Sequence, residues 1–118
     1  IVVEAMRNNS NCISLLEVGC TVLRNIVFQF PNFASEASEA VSTVINAMRE
    51  NIDAIGFQEE ACNLLWVLAA EAESCRSKIL GLDGIAVLMT CLEQNSHVPG
   101  VQDAALGAFN KLAKTQER

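Results

Sequence analysis

Positive charge is scarce in this 118-residue chain: eight Lys and Arg stand against fourteen Asp and Glu, for a formal charge of −6. The bases are scattered as Arg7, Arg24, Arg49, Arg76, Lys78, Lys111, Lys114 and Arg118, so no face is expected to hold a phosphate backbone, and no nucleic-acid partner is expected. Long apolar runs are also missing. The longest, Leu64 to Ala70, falls far short of the ~18 to 20 residues that span a bilayer, so no membrane partner is expected. There is one histidine, His97. It could pair with Cys91, six residues earlier, as base and nucleophile, but a solvated loop histidine is the simpler reading. No G-x-x-x-x-G-K, G-x-G-x-x-G or G-x-S-x-G occurs, and no His or Cys cluster has metal-ligand spacing. The expectation is a protein that is not an enzyme and needs no cofactor or metal.

Cysteine is present but unpaired in pattern. Cys12, Cys20, Cys62, Cys75 and Cys91 form an odd set without a C-x-x-C, which fits neither a closed disulfide framework nor a zinc clip. Four of them lie in apolar, helix-like context, where a free thiol behaves as a small hydrophobe. Reduced thiols point to an intracellular, cytoplasmic protein, with the nucleus left open because no basic run marks an import signal. The one sequon, Asn8-Asn9-Ser10, is what chance gives among ten Asn. With 51% apolar and 19% charged residues, the chain has too much apolar surface for a disordered tail. It reads as one domain, and its start at Ile1, already inside a helical pattern, suggests a piece of a longer protein.

Self-comparison is the strongest signal. A shift of 42 residues lays Ala5-Met6-Arg7-Asn8-Asn9 on Ala47-Met48-Arg49-Glu50-Asn51, and then Ile13 on Ile55, Glu17 on Glu59, Cys20 on Cys62 and Leu23 on Leu65. A shift of 44 carries Met48 to Leu92, Asn51 to Asn95, Gly56 to Gly100, Gln58 to Gln102, Leu65 to Phe109 and Leu68-Ala69 to Leu112-Ala113. Three copies of one unit follow, at residues 1–31 (partial), 32–70 and 71–118.

Each unit carries two clear helical patterns. In the longer, about Phe57 to Ala70, Ala61, Leu64, Leu65 and Leu68 follow i, i+3, i+4, i+7 spacing, and Val101, Ala105, Ala108, Phe109 and Leu112 repeat it. The medium helix, Val41 to Glu50, presents Val44, Ile45 and Met48, with its counterpart at Ile85 to Glu93. Asn9, Asn51 and Asn95 follow it, where a left-handed residue is expected to stop the helix. Gly56 and Gly100 open the long helix. A shorter piece, Asn32 to Glu39 after Pro31 and Glu71 to Leu80 before Gly81-Leu82-Asp83-Gly84, separates the units. No window alternates with period two, so the fold is expected to be all-α.

This three-helix unit, with Leu-Leu-Trp-Val-Leu-Ala closing the long helix and Ile79-Leu80-Gly81-Leu82-Asp83-Gly84-Ile85 leading into the next medium helix, resembles the armadillo repeat. The two-helix HEAT repeat is the near neighbour. The family's Leu-x-Asn-Leu-Ala ending is matched in part by Leu23-Arg24-Asn25-Ile26-Val27, Leu65-Trp66-Val67-Leu68-Ala69 and Phe109-Asn110-Lys111-Leu112-Ala113. The resemblance implies a right-handed α-solenoid of about three repeats whose long helices line a concave groove. It further implies a scaffold that binds a peptide or helix of a partner protein. The groove positions are Glu17, Thr21, Arg24, Asn25 and Phe28 in the first copy, Glu59, Asn63, Trp66, Val67 and Ala70 in the second, and Asp103, Gly107, Asn110, Lys111 and Lys114 in the third. Members that hold nuclear import signals use Trp and Asn four residues apart. Those Trp positions are Thr21, Asn63 and Gly107 here, and of the Asn positions only Asn25 matches, so that ligand is not expected.

Trp66 has two readings, as an anchor exposed in the groove or as packing against the adjacent repeat. The acid-rich stretch from Glu36 to Glu73 would attract a basic ligand or would simply be a solvated face. The alternative function is a spacer or oligomerisation segment inside a larger protein. Val2, Val3 and Met6 at one end and Leu106, Phe109 and Leu112 at the other would normally be covered by neighbouring repeats, so self-association through the ends is expected.

Overall fold

The computed structural model describes residues 1–116, with side chains through Ala113. The expected groove residue Lys114 lies beyond the described side chains, and residues 117 and 118 lie outside the described residues. The described chain is helical, without a strand: α1 (Val2–Asn8), α2 (Ile13–Gln29), α3 (Ala34–Ala37), α4 (Val41–Glu50), α5 (Ile55–Glu71), α6 (Glu73–Gly81), α7 (Gly84–Gln94) and α8 (Pro99–Gln116). The expected short piece after Pro31 is a 3-10 turn at Pro31–Phe33, the four residues of α3 and a second 3-10 turn at Ser38–Ala40. Its counterpart starts later than expected, because Ala72 is fully extended (φ −150°, ψ 139°) and separates α5 from α6.

The long helices α2, α5 and α8 form one layer, with α5 in the middle. Its contacts with α8 and with α2 are the two most extensive in the molecule. The medium helices pack on this layer, α1 on α2, α4 on α5 and α7 on α8, and α4 also meets α7. The periodic positions explain why. Ala61, Leu64, Leu65 and Leu68 of α5, Val44, Ile45 and Met48 of α4, and Val101, Ala105, Ala108 and Leu112 of α8 all lose their solvent contact. Each Leu buried this way contributes about 1.5–3 kcal/mol to holding the layers together. One core runs from Met6 to Leu112. Both of those residues, expected to stand bare at the ends, are fully buried within the chain, because α1 and α8 fold back on the core.

The turn from each medium helix into the next long one is built the same way three times. Asn9, Asn51 and Asn95 follow the medium helices with φ of −128°, −132° and −121°, not in the left-handed region expected of them. The reason is in the side chain. Each carboxamide donates to the carbonyl four residues back, Ala5, Ala47 or Cys91, at 2.8, 2.9 and 3.2 Å. In the first two turns the side chain thus satisfies a carbonyl left over at the helix end, in the third it joins the Asn95 amide on Cys91 O (3.0 Å), and the backbone leaves without a positive φ. The carbonyls of the same three Asn then accept from the amides of Cys12, Ala54 and Val98 at 2.9, 3.0 and 3.0 Å. In the second and third turns a glutamine adds a clip. Gln58 Nε2 donates to Met48 O (3.0 Å) and Asn51 O (2.9 Å), and Gln102 Nε2 to Leu92 O (3.0 Å) and Asn95 O (2.8 Å). The first copy has Leu16 at that position, and there the amide of Asn9 bonds Met6 O instead, at 3.2 Å.

The turn into α7 divides its labour between two residues. Asp83 takes the left-handed conformation (φ 61°, ψ 41°), and no glycine among the described residues has a positive φ. Gly84 is needed for space, since a Cβ there would lie 2.8 Å from Ile79 O and against Ile79 Cγ2, whereas a Cβ on Gly81 would meet nothing. Gly81→Ala should therefore raise stability by about 0.5–1 kcal/mol through helix propensity. Gly84→Ala should lower it by about 1–3 kcal/mol through overpacking. Thermal melts of the two variants should shift in opposite directions.

Candidate functional site

A groove of about 600 Å³ crosses the long-helix layer, lined by Arg24, Asn25 and Phe28 of α2, by Asn63, Trp66, Val67, Ala70 and Glu71 of α5, and by Lys111 of α8. Helical spacing explains the set. Asn63, Trp66, Val67 and Ala70 recur at i, i+3, i+4 and i+7 beside the buried stripe of α5, and Arg24, Asn25 and Phe28 occupy the matching face of α2. The groove combines apolar surface with amide and charged ends. Phe28 is 77% exposed and Trp66 38%.

Trp66 both packs on α8 and lines the groove. A Cβ on Gly107 would lie 2.5 Å from Trp66 Cδ2 and 2.6 Å from Cε2, so the indole rests on the bare backbone of α8. The rest of the ring faces the groove. Glycine at 107 is thus what allows an aromatic ring to sit at the floor and remain accessible.

The expected groove residues divide into three groups. Arg24, Asn25, Asn63, Trp66, Val67 and Lys111 come together in the groove, as do Phe28 and Ala70. Glu17, Thr21 and Glu59 are used in the joints between long helices. The Glu17 carboxylate sits 3.1 Å from where a Gly56 Cβ would be, and that of Glu59 sits 2.5 Å from the same point on Gly100. Each therefore occupies the first turn of the next long helix, where the aligned backbone dipoles favour negative charge. Thr21 Oγ1 donates to Glu60 Oε1 at 2.8 Å. Asp103 and Asn110 are exposed on α8 and do not line the groove.

Two residues of the site were expected only as members of the acid-rich stretch, not as groove positions. Glu71 lines the groove at the end of α5, and Glu60 holds its α2 wall. Glu60 Oε1 also lies 3.7 Å from Arg24 Nη2, an ion pair too long for a hydrogen bond, and Arg24 Nε is buried without a hydrogen-bond partner among the described residues. Their position one turn from periodic groove residues was the available signal. The acid-rich stretch does not gather at the groove. Glu59 and Glu60 serve the joints, Glu39 pairs with Arg7 at 3.8 Å, and the groove itself carries Arg24 and Lys111 against Glu71.

The reactive groups lie elsewhere. All five cysteines are free and only Cys12 is exposed. Cys91 Sγ donates to Gln58 Oε1 at 2.9 Å, and Cys62 Sγ approaches Cys91 Sγ at 3.9 Å. Gln58, itself fully buried, thereby has both ends of its amide satisfied. Cys62, as donor to Cys91 and by burial, is pushed well above the ordinary thiol range, while accepting that bond lowers Cys91. His97 is exposed in the loop before α8, and among the described residues no hydrogen bond joins it to Cys91. No group of three or more His, Cys, Asp or Glu among the described residues is placed to hold a metal ion, and none of the described helices is long and apolar enough to cross a membrane.

No protein-family model, curated protein or solved structure matches the chain. What can be said of its class rests on its own architecture: an all-helical protein with a groove across a layer of three long helices.

Two predictions follow from this geometry. Gly107→Ala drives a methyl into the indole, so emission of the sole tryptophan should shift to longer wavelength as the ring is displaced toward water, with a stability loss of about 1–3 kcal/mol. Burial, with Glu60 and then Glu17 adding negative charge nearby, pushes the Cys20 thiol from 9.0 up to about 12. Between those values the unfolded chain has released the proton and the folded chain keeps it, so stability falls as pH rises through that window. The drop in melting temperature from pH 9 to 11 should be smaller in Cys20→Ala than in wild type.

Proposed function

We propose that this chain is an armadillo-like segment of a right-handed α-solenoid, and that it binds a segment of a partner protein along the groove of its long helices without catalysing a reaction. The observation that carries the reading is the groove. Two accessible aromatic rings, Phe28 on α2 and Trp66 on α5, flank it, with the amides of Asn25 and Asn63 beside them. An extended peptide or a helix needs both kinds of group: rings to receive an apolar side chain, amides to bond its backbone. The asparagine bond shared by the three turns and the repeated Glu17–Gly56 and Glu59–Gly100 contacts support a unit that recurs at residues 1–31, 32–70 and 71–118.

The groove gives a basic ligand no advantage, since its own charges are Arg24 and Lys111 against Glu71. A ligand with an apolar anchor and a neutral or acidic flank fits it better. The reading places the chain inside the cell, in the cytoplasm, where an exposed free thiol such as Cys12 stays reduced.

Peptides selected from a random library against the wild-type chain test this. Binders should change Trp66 emission, and Asn63→Glu or Trp66→Ala should weaken them at least tenfold while circular dichroism remains unchanged. Binders indifferent to both substitutions would sink the groove, and a library that yields none would favour a spacer.

A further inference from the structure

We propose that Cys62 and Cys91 form a modification site, where hydrogen peroxide converts the two free thiols into an intramolecular disulfide between α5 and α7 and a dithiol reductant reverses it. The pair is already in contact. Cys62 donates its thiol hydrogen to Cys91 Sγ across 3.9 Å, so a bond between the sulfurs requires an approach of about 2 Å, shared between side-chain rotation and the two helices. The residues belong to different units. Cys62 stands on the long helix of the second and Cys91 on the medium helix of the third, and α8, which packs extensively on both α5 and α7, holds the two helices in place.

The other cysteines are placed differently. Cys20 occupies on α2 the position that Cys62 has on α5, but the medium helix that follows it carries Ala47 where α7 carries Cys91. Cys75 Sγ faces Ala34 O at 3.6 Å, and Cys12 is exposed. The attacking species in such chemistry is a thiolate, and here the hydrogen bond from Cys62 lowers Cys91, while burial pushes up Cys20 and Cys75. A route also exists. A cavity of about 290 Å³ between α4 and α7 is lined by Met48, Arg49, Ile52, Ala86, Val87 and Thr90, of which Arg49 and Ala86 are exposed. That is several times the roughly 30 Å³ share of a water molecule in the liquid, and hydrogen peroxide is little larger than water. Val87 lies one turn before Cys91 and Thr90 next to it, and Met48 O accepts from the Gln58 amide whose Oε1 accepts from Cys91. The cavity therefore borders the network that holds the thiols.

The steps balance without any other reactant. The Cys91 thiolate attacks one peroxide oxygen, the O–O bond breaks, and Cys91 becomes a sulfenic acid while the other oxygen leaves as water with the proton the thiol gave up. Cys62 Sγ then attacks Cys91 Sγ. The S–O bond breaks, and the hydroxyl departs with the Cys62 proton as a second water. Two thiols lose two electrons together, and one peroxide gains them. Both S–H bonds are gone at the end, so Gln58 Oε1, fully buried, loses its donor. Oxidation thereby reaches the turn before α5, which Gln58 clips through Met48 O and Asn51 O.

The folded chain is treated with hydrogen peroxide, unfolded with a maleimide present to block the remaining thiols, and cleaved after Lys, Arg and Glu for mass spectrometry without reduction. Cleavage at Glu60, Glu71 and Glu73 puts Cys62 and Cys75 on separate peptides. The expected product is one linked pair of peptides carrying Cys62 and Cys91, lighter than their sum by two hydrogens and lost on treatment with dithiothreitol, while Cys20 and Cys75 carry maleimide. Cys62→Ala removes the resolving thiol, so Cys91 should be trapped by dimedone as its sulfenic acid severalfold more than in wild type, with circular dichroism unchanged. Cys12→Ser, which removes the exposed thiol, should leave the linked pair in the same yield. Wild type in which Cys62 and Cys91 both still take up maleimide would overturn the proposal. So would a bridge formed in preference between any other two cysteines, or equal trapping by dimedone in wild type and Cys62→Ala.

Discussion

The end of each medium helix is the constraint on which the rest of the molecule depends. A helix that stops inside a packed structure leaves carbonyls without donors, and a buried carbonyl left unpaired costs about 1–3 kcal/mol. Here an asparagine carboxamide serves one carbonyl and, in two of three turns, a glutamine serves two more. Because these side chains fix how the chain leaves the medium helix, they also fix the direction in which the long helix departs. Three turns of the same make then set three long helices side by side.

Once the long helices lie in one layer, the space between them is decided by side-chain size at a few points. Gly56 and Gly100 admit carboxylates from the helix before, and Gly107 admits the face of Trp66. The Trp66 ring that rests on Gly107 also lines the groove. Phe28 and Trp66 form the apolar part of that groove, and Asn25 and Asn63 belong to its polar part. The thiols play no part in it. Cys62 and Cys91 complete the Gln58 network on the buried side of the same layer, which ties the turn before α5 to α7.

Much of this was legible in the residues. The medium helix expected at Val41 to Glu50 has those bounds, and the apolar stripe of α5 is buried as its spacing implied. Asn9, Asn51 and Asn95 were recognisable as stop signals, but not how they act. An asparagine can end a helix through its backbone conformation or through its side chain, and its place in the sequence is the same in both cases. The role of Glu17 and Glu59 was hidden for a related reason. Their spacing puts them beside the groove, but only the neighbouring helix shows that a glycine lies within reach to draw them into the joint.

The sequence by itself determined the helices, their order, the buried stripe of each and the recurrence of the unit, because all of these follow from periodicity and from residues close together in the chain. Only the tertiary structure decided which polar residues belong to joints and which to the groove, that Trp66 both packs and stays accessible, and which apolar faces remain uncovered. Those outcomes depend on contacts between residues about forty positions apart, such as Thr21 with Glu60 and Trp66 with Gly107. Whether a side chain is absorbed by its neighbour is set by the size and charge of a partner that local spacing does not reveal.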